Sequence, residues 1–452
     1  MKSNGRVQLR VAPGVPLQGS YRPHGDKSLA HRAALLAALG EGESRIDNFL
    51  VAGVTRAMLR ALTALGVAWE LNGEQLIVRG LGIDGLNPPE EPIDCGNSAT
   101  TLRLLAGGLA AAGVRAMLDG SPGLRRRPMG RIIEPLLLMG VPLTAQDNHA
   151  PLALGSGRMP LHALAYQLPV ASAQVKSCLL LAGLAAGGPT ILDEPGPSRD
   201  HTERMLRNLG FRVSSEVLPV GKKTLYRTRL EPPTRLAIPP QKLRLPGDIS
   251  AAAFLIVAAL ITPGSQIVIQ EVGLNPTRTG LIEALQAMGA ELQVRAMGER
   301  HGEPIGDLSV RHSALRGVGV SGEAVVRMID EFPAFGIAAA FARGDTLVRQ
   351  AEELRHKESD RIGALCQELN ILGGDAVETQ DGFIIHGMGG LKGGSVDAHG
   401  DHRLAMALAL SGLAAQKPVY VSGAEAYYES FPDFPQVLQS LGAKASVEVT
   451  EA

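Results

Sequence analysis

The residues best suited to chemistry in this sequence are clusters of fixed positive charge. The clusters are GDKSLAHR, GLRRRPMGR, LRHKESDR and GDHR, and their principal cations are Lys27, Arg32, Arg127, Lys357, Arg361 and Arg403. Three of the four clusters lie at or beside a predicted helix start, where unpaired backbone N–H groups and the helix dipole favour anions. Any one cluster alone also fits an ordinary solvated surface. Together they predict a small substrate with two or more anionic groups.

Two carboxylates near these cations are candidates for general acid–base catalysis. Asp330 lies in MIDEFPAFG, where a carboxylate at a helix start is also an ordinary N-cap. Glu358 lies beside Lys357 and Arg361, which are predicted to be one helical turn apart. The two neighbouring cations favour a role for Glu358 in the site.

A third feature is the segment GNSATTLR, residues 96–103, which places small polar residues before a long apolar helix. Either Asn97 or Ser98 is an N-cap, or the turn holds an anion at the helix N-terminus. Both interpretations remain open at this point.

Two of these cation clusters, GDKSLAHR and GDHR, begin Ala- and Leu-rich helical segments, as do GNSATTLR and DEFP. Such segments recur six times, at intervals of about 70 to 85 residues. Each such segment is followed by a β-like run, a second helix that ends at glycine, and further extended chain. Asn72-Gly73 and Asp381-Gly382 predict hairpin turns. The repeated unit is helix, strand, helix, strand, strand. Because the first helices are apolar on nearly every face, we expect them to be buried, with sheets packed around them.

Composition excludes several classes of protein. A chain of 452 residues with 45% hydrophobic and 20% charged residues is typical of a globular protein with two or three domains. A net charge of -1 argues against a surface that binds nucleic acid. The three cysteines form no CxxC pair, which favours a reducing cytoplasm, and no stretch predicts a membrane span or a targeting signal. GxxxxGK[ST], HExxH and GxSxG are absent.

Eight motifs in order resemble the 5-enolpyruvylshikimate 3-phosphate synthase family. They are DKSLAHR, GNSATTLR, RRRPMGR, SAQVK, RDHTERML, DEFP, KESDR and DHRLAM, and the resemblance runs from about Gly25 to Pro435. It implies a two-domain α/β enolpyruvyl transferase fold, each domain with three βαβαββ-type repeats around buried parallel helices. It places residues 1–23 and 246–452 in a first domain and residues 24–245 in a second, with the active site in the cleft between them.

The resemblance implies transfer of the enolpyruvyl group of phosphoenolpyruvate to the 5-hydroxyl of shikimate 3-phosphate, with release of phosphate and no metal or organic cofactor. This is a step of chorismate and aromatic amino-acid biosynthesis. The implied shikimate 3-phosphate ligands are Lys27, Ser28, Arg32, Ser172, Ala173, Gln174, Arg199, Asp330 and Lys357. The implied phosphoenolpyruvate ligands are Lys27, Ala99, Arg127, Gln174, Arg361 and Arg403. The implied catalytic residues are Asp330, Glu358 and Lys27.

The family resemblance also bears on inhibition. Ala99 occupies a position that is usually glycine in the glyphosate-sensitive class, so a tolerant enzyme is expected. Three positions depart from the pattern: His24 replaces a more usual proline, the segment near Gly53 lacks a carboxylate, and Glu429 replaces a lysine of the sensitive class.

Two alternatives accompany this interpretation. A UDP-N-acetylglucosamine enolpyruvyl transferase has the same fold but usually carries a reactive cysteine in the loop matching GSPGLRRRP, where this chain has none. A non-catalytic anion- or RNA-binding repeat protein would explain the basic clusters but not the acids beside them. Aromatic residues, on which nucleic-acid bases would stack, make up only 4% of the chain, which also argues against RNA binding. We expect a cytoplasmic monomer that binds neither nucleic acid nor membrane.

Overall fold

The computed structural model describes residues 6–157, 159–221 and 223–450. The chain separates into two compact units. The first unit comprises the described parts of residues 1–24, 246–298 and 304–452, and the second comprises residues 25–245 and 299–303. The expected boundaries differ from this division at His24, which groups with the first unit, and at residues 299–303, which group with the second.

The first unit begins with two strands that precede the first helix of the chain. Its strands are β1 (Arg6–Ala12), β2 (Gln18–Tyr21), β15 (Gln266–Gly273), β16 (Glu291–Arg300), β17 (Glu303–Arg311), β18 (Gly319–Val320), β19 (Arg343–Val348), β20 (Ala376–Thr379), β21 (Gly382–Met388), β22 (Gly394–Asp397), β23 (Val419–Ser422) and β24 (Lys444–Thr450). Its α-helices are α8 (Ile249–Ile261), α9 (Gly280–Ala287), α10 (Glu323–Arg327), α11 (Phe332–Phe341), α12 (Arg361–Ile371), α13 (His402–Ser411) and α14 (Phe434–Ser440). Short 3₁₀ helices cover Pro276–Arg278, Glu352–His356 and Ala424–Glu429.

The second unit repeats the same kinds of element. Its strands are β3 (Glu41–Asp47), β4 (Ala68–Asn72), β5 (Gln75–Leu81), β6 (Ile93–Asp94), β7 (Ala116–Asp119), β8 (Leu143–Gln146), β9 (His149–Leu154), β10 (Leu164–Gln167), β11 (Thr190–Glu194), β12 (Val213–Val220), β13 (Lys223–Leu230) and β14 (Lys242–Arg244). Its helices are α1 (Lys27–Leu39), α2 (Gly53–Ala64), α3 (Ala99–Ala112), α4 (Pro122–Arg125), α5 (Gly130–Leu138), α6 (Ala173–Gly183) and α7 (His201–Asn208).

Six four-stranded sheets share one topology. In each, a first strand pairs in parallel with a second, and the second pairs antiparallel with a third. The orders are β14-β3-β5-β4, β6-β7-β9-β8 and β10-β11-β13-β12 in the second unit, and β2-β15-β17-β16, β18-β19-β21-β20 and β22-β23-β1-β24 in the first. The expected repeat of helix, strand, helix, strand, strand is confirmed.

Pairing explains why the N-terminal segment belongs with the C-terminal half of the chain. Strand β2 pairs in parallel with β15, and β1 lies between β23 and β24. These two strands complete two of the three sheets in the first unit. The parallel strand that completes the sheet of β3 is β14, at the other end of the second unit.

The first helix of each repeat is buried on nearly all faces, as its composition predicts. In the second unit, α3 packs against α1 and α6, and in the first unit α8, α11 and α13 pack against one another. Close approach depends on small residues: a Cβ atom at Gly107 of α3 would lie 2.2 Å from the carbonyl oxygen of Cys178 in α6. Among the described residues, no helix is long and apolar enough to cross a membrane.

Candidate active site

The start of α1 carries a buried arginine in the second unit. Asp26 caps the helix by accepting a hydrogen bond from the Leu29 N–H at 2.9 Å, which leaves Lys27 and Ser28 in the first turn. Arg32, one turn later, is only 3% exposed. Burial lowers its pKa to about 10, so the guanidinium remains charged at neutral pH.

All three hydrogen bonds of the Arg32 guanidinium go to neutral oxygens. Nη1 donates to the Ser28 carbonyl at 2.8 Å, Nε to Thr202 Oγ1 at 2.8 Å, and Nη2 to Ser177 Oγ at 2.7 Å. In the described part of the chain, no carboxylate oxygen lies within 4.0 Å of its nitrogens. A buried cation without a contacting counter-ion is suited to bind an anionic ligand.

The helix start in GNSATTLR is capped by a serine side chain. Ser98, rather than Asn97, is the N-cap, and its Oγ accepts from the Thr101 N–H at 3.1 Å. The preceding turn uses Gly96 in the left-handed region, with φ 58°. Ala99 is the first residue of the helix and is 2% exposed.

Gln174, in the first turn of α6, is fixed at both ends of its amide. Its Oε1 accepts from Arg103 Nη1 at 2.7 Å, and its Nε2 donates to Thr100 Oγ1 at 3.0 Å. Arg103 Nη2 also donates to the Pro128 carbonyl at 3.0 Å. Two residues of GNSATTLR thus hold a predicted ligand residue, a role that the sequence pattern did not indicate.

The remaining predicted residues of the second unit lie beside helix ends. Ser172 is the N-cap of α6, but its side chain accepts no capping hydrogen bond from the described backbone, and Ala173 is the first residue of that helix. Arg199 is half-buried and lies two residues before α7. Arg127 is half-buried and follows α4.

A buried ionic group that the sequence did not predict lies between α6 and α7. Lys176 Nζ is 2.6 Å from Glu194 Oε1 and 2.8 Å from Glu203 Oε1. Burial alone would lower the pKa of Lys176, but the two carboxylates outweigh it and raise that pKa. Lys176 also donates to the Ser198 carbonyl at 3.4 Å, which ties the turn before Arg199 to α6.

In the first unit, Asp330 is surrounded by cations. Its Oδ1 is 3.4 Å from Arg361 Nη1 and 3.9 Å from Lys357 Nζ, and its Oδ2 is 3.5 Å from Arg403 Nη2. Three predicted site residues from two other segments therefore meet around the Asp330 carboxylate. Asp330 precedes α11, whose N-cap is Glu331, so Asp330 does not itself occupy the N-cap position.

The prediction that Lys357 and Arg361 lie one helical turn apart is wrong. Lys357 follows the 3₁₀ helix and has an extended backbone, and α12 begins only at Arg361. Asp360 starts that helix by accepting from the N–H groups of Ile362 and Gly363, both at 3.1 Å. The Asp360 cap therefore marks the end of the non-helical segment that follows the 3₁₀ helix.

Arg361 is the most extensively paired arginine of this cluster. Its Nη2 lies 2.7 Å from Glu358 Oε2, and its Nε lies 2.7 Å from Asp401 Oδ2. Burial opposes the charged form, but the carboxylates of Asp401, Glu358 and Asp330 outweigh it and raise the pKa of Arg361. Asp401 is also the N-cap of α13, accepting from the Arg403 N–H at 2.8 Å. The cap position in GDHR is the signal from which Asp401 could have been found.

Among the described residues, no group of three or more His, Cys, Asp or Glu side chains is placed to hold a metal ion. The arrangement instead offers two sets of charged groups. In the second unit, no described carboxylate contacts Arg32, whereas the first unit presents acids and cations in direct contact. Such groups can bind phosphate and carboxylate and move protons beside them.

Comparison with known proteins decides the family. The model of the family described as EPSP synthase (3-phosphoshikimate 1-carboxyvinyltransferase) matches residues 11–438. The chain belongs to the EPSP synthase family. It is a transferase of the shikimate pathway, in aromatic amino-acid biosynthesis.

Individual relatives agree with this family. The chain is 46% identical over 445 residues to 3-phosphoshikimate 1-carboxyvinyltransferase from Halorhodospira halophila, with 97% of each chain covered. It is 45% identical to the protein of that name from Geobacter sulfurreducens, covering 97% of this chain and 100% of the relative. The solved structure of EPSP synthase from Acinetobacter baumannii matches with a TM-score of 0.84 and 39% identity, covering 98% of this chain and 100% of that one. The expected fold and enzyme class are therefore confirmed.

Proposed function

We propose that this EPSP synthase family enzyme transfers the enolpyruvyl group of phosphoenolpyruvate to the 5-hydroxyl of shikimate 3-phosphate and releases phosphate. Family membership supports the reaction class. The observation that carries the proposal for this chain is the cluster around Asp330, where one carboxylate meets Lys357, Arg361 and Arg403 within 3.9 Å. Such a cluster suits a reaction that binds polyanions and removes a proton from a hydroxyl beside them.

We assign the second unit mainly to shikimate 3-phosphate. Arg32 offers a buried positive charge that no carboxylate of the described residues contacts, which favours an anionic group of this substrate. The proposed ligands are Lys27, Ser28, Arg32, Ser172, Ala173, Gln174 and Arg199, joined by Asp330 and Lys357 of the first unit.

Phosphoenolpyruvate carries a phosphate and a carboxylate, which arginine forks bind with two parallel hydrogen bonds. The proposed ligands are Lys27, Ala99, Arg127, Gln174, Arg361 and Arg403. Three arginines in this set balance much of the charge of the substrate. They also stabilise the phosphate as it leaves.

The chemistry requires an acid and a base at one carbon centre. We propose that Glu358 with Lys27 delivers a proton to the methylene carbon of phosphoenolpyruvate, which makes the neighbouring carbon electrophilic. The 5-hydroxyl attacks that carbon while Asp330 accepts the hydroxyl proton. Glu358 with Lys27 then takes a proton back from the new methyl group as phosphate departs, which restores the double bond. Every acid and base in this scheme is a side chain of the protein, and no cofactor is needed.

We further propose that the enzyme belongs to the glyphosate-tolerant class. Ala99 is the first residue of α3 and is 2% exposed, so its methyl group fills space at that helix start that a glycine would leave open. Glyphosate is longer than phosphoenolpyruvate and needs that space. A submicromolar inhibition constant for glyphosate would contradict this proposal.

The deciding experiment measures phosphate release from phosphoenolpyruvate with shikimate 3-phosphate, and separately with UDP-N-acetylglucosamine, each with and without millimolar glyphosate. Release only with the shikimate ester supports the proposed reaction. Release only with the sugar nucleotide would assign the enzyme to the other enolpyruvyl transferases. That the enzyme is a cytoplasmic monomer stays a prediction from the sequence.

A further inference from the structure

Two buried hydroxyl groups hold Arg32, and neither belongs to a predicted ligand residue. Ser177 lies in α6 and Thr202 in α7, and each is 1% exposed. Their oxygens lie 2.6 Å apart, and each accepts one N–H of the Arg32 guanidinium. Three helices of the second unit thus meet at this arginine.

The direction of each hydrogen bond in this group follows from counting protons. Ser177 has a single hydroxyl proton, which it donates to the Ala173 carbonyl at 2.5 Å. The proton between the two hydroxyls therefore comes from Thr202, and Ser177 Oγ accepts it. Ser177 Oγ also accepts from Arg32 Nη2, so both of its lone pairs are used. The network runs in one direction, from Arg32 through Thr202 and Ser177 to Ala173.

This network leaves part of Arg32 available. A guanidinium has five N–H donors, and three of them are used here. The acceptors are two hydroxyls and a carbonyl, which fix the plane of the guanidinium without neutralising it. Arg361 in the first unit shows the contrast, because carboxylates contact it directly.

We infer that Ser177 and Thr202 are positioning residues for the shikimate 3-phosphate site: they orient Arg32 and, by being neutral, keep its charge for an anionic group of the substrate. The inference rests on the proposed function of Arg32. It also explains why α6 and α7 contribute ligand residues together. Ala173 ends the network at the start of α6, and Arg199 lies just before α7.

The test compares Ser177→Ala, Thr202→Val and the double variant with the wild-type enzyme, using calorimetric binding of shikimate 3-phosphate and steady-state kinetics. Each single change removes one hydrogen bond to a charged group. The dissociation constant and KM for shikimate 3-phosphate should rise about tenfold for each, and about a hundredfold for the double variant. The KM for phosphoenolpyruvate should change less than threefold.

Two further variants separate positioning from a merely structural role. Thr202→Ser keeps the hydroxyl and should retain wild-type affinity. Ser177→Asp places a carboxylate against Arg32, so binding of shikimate 3-phosphate should fall by more than a hundredfold while the protein stays folded. A structural role alone predicts no such selective loss.

Thr262→Val and Ser411→Ala are the matched controls, since both side chains are buried. Thr262, the C-cap of α8, donates to the Ala258 carbonyl at 2.7 Å, and Ser411 donates to the Leu408 carbonyl of its own helix at 2.6 Å. If the wild-type enzyme binds no shikimate 3-phosphate, the proposed function itself fails. If it binds, and Ser177→Ala and Thr202→Val stay within twofold of these controls, the positioning role is overturned.

Discussion

Arg361 and Asp401 form a two-point ion pair that is almost completely excluded from solvent. Nε of Arg361 lies 2.7 Å from Oδ2 of Asp401, and Nη2 lies 3.2 Å from Oδ1. Asp401 also caps α13. One carboxylate therefore joins the starts of two helices, α12 and α13, and sets the position of the arginine beside Asp330.

Removing the charge of Asp401 should destabilise the protein. We expect Asp401→Asn to lower the free energy of unfolding by about 3 kcal/mol, because it leaves a buried guanidinium without its main partner. The amide retains the cap, so α13 should still form. Urea unfolding measures the loss. Asp345→Asn, at an exposed pair with His386, is the control and should change stability little. Equal effects of the two substitutions would contradict this account.

The pair of Arg361 and Asp401 should also make the stability of the folded protein depend on pH. Burial raises the pKa of the Asp401 carboxyl, but Arg361 outweighs it and the net pKa is lowered. Because the unfolded chain titrates near pH 4, the stabilisation by Asp401 is complete above about pH 4 and is lost as the pH falls further.

His31 should make stability depend on pH in a different range. Burial lowers its pKa from 6.5 to about 4. Below pH 6.5 the unfolded chain takes up a proton that folded His31 does not accept, so the folded state loses stability as the pH falls from 6.5 to 4. The loss amounts to about 3 kcal/mol. Urea unfolding of wild-type protein and His31→Gln across this range should show the difference. His386→Gln, at an exposed site, is the control, and an unchanged pH profile in His31→Gln would refute the assignment.

Arg103 should control the orientation of Gln174. With the Gln174 Oε1 held by Arg103 and its Nε2 donating to Thr100, only one orientation of the amide is satisfied. Arg103→Met removes the donor and allows the amide to turn. We expect kcat/KM to fall about tenfold, the loss of one charge-assisted hydrogen bond, with folding preserved. Arg115→Met, at an exposed arginine, is the control. Equal kcat/KM in both variants would remove Arg103 from this role.

Much of the fold was predictable because its signals are local. The apolar first helices, the glycines at the ends of the second helices and the hairpin turns recur with the repeat, so one unit could be read six times along the chain. The strands that complete the sheets were harder. β14 has three residues and β6 has two, and pairing between strands distant in sequence carries little local pattern.

The candidate site also contains residues with a local sequence signal and residues without one. The motifs near helix starts drew attention to Arg32, Arg361 and Arg403, and their roles as substrate ligands stay predictions. Ser177 and Thr202 had no such signal, because a serine or threonine inside a helix has no distinctive spacing. Their roles depend on which helices touch, and that is a property of tertiary packing.

Ala99 should limit the binding of glyphosate. Ala99→Gly removes the buried methyl group at the first position of α3 and should lower the inhibition constant of glyphosate at least tenfold. The KM for phosphoenolpyruvate should change much less, because the smaller substrate does not need the added space. Ala111→Gly, near the end of the same helix, is the control for the helix-destabilising effect of glycine, about 1 kcal/mol in a helix interior. Inhibition is measured against varied phosphoenolpyruvate at saturating shikimate 3-phosphate. An inhibition constant that is the same in Ala99→Gly and in Ala111→Gly would mean that tolerance, if present, arises elsewhere in the site.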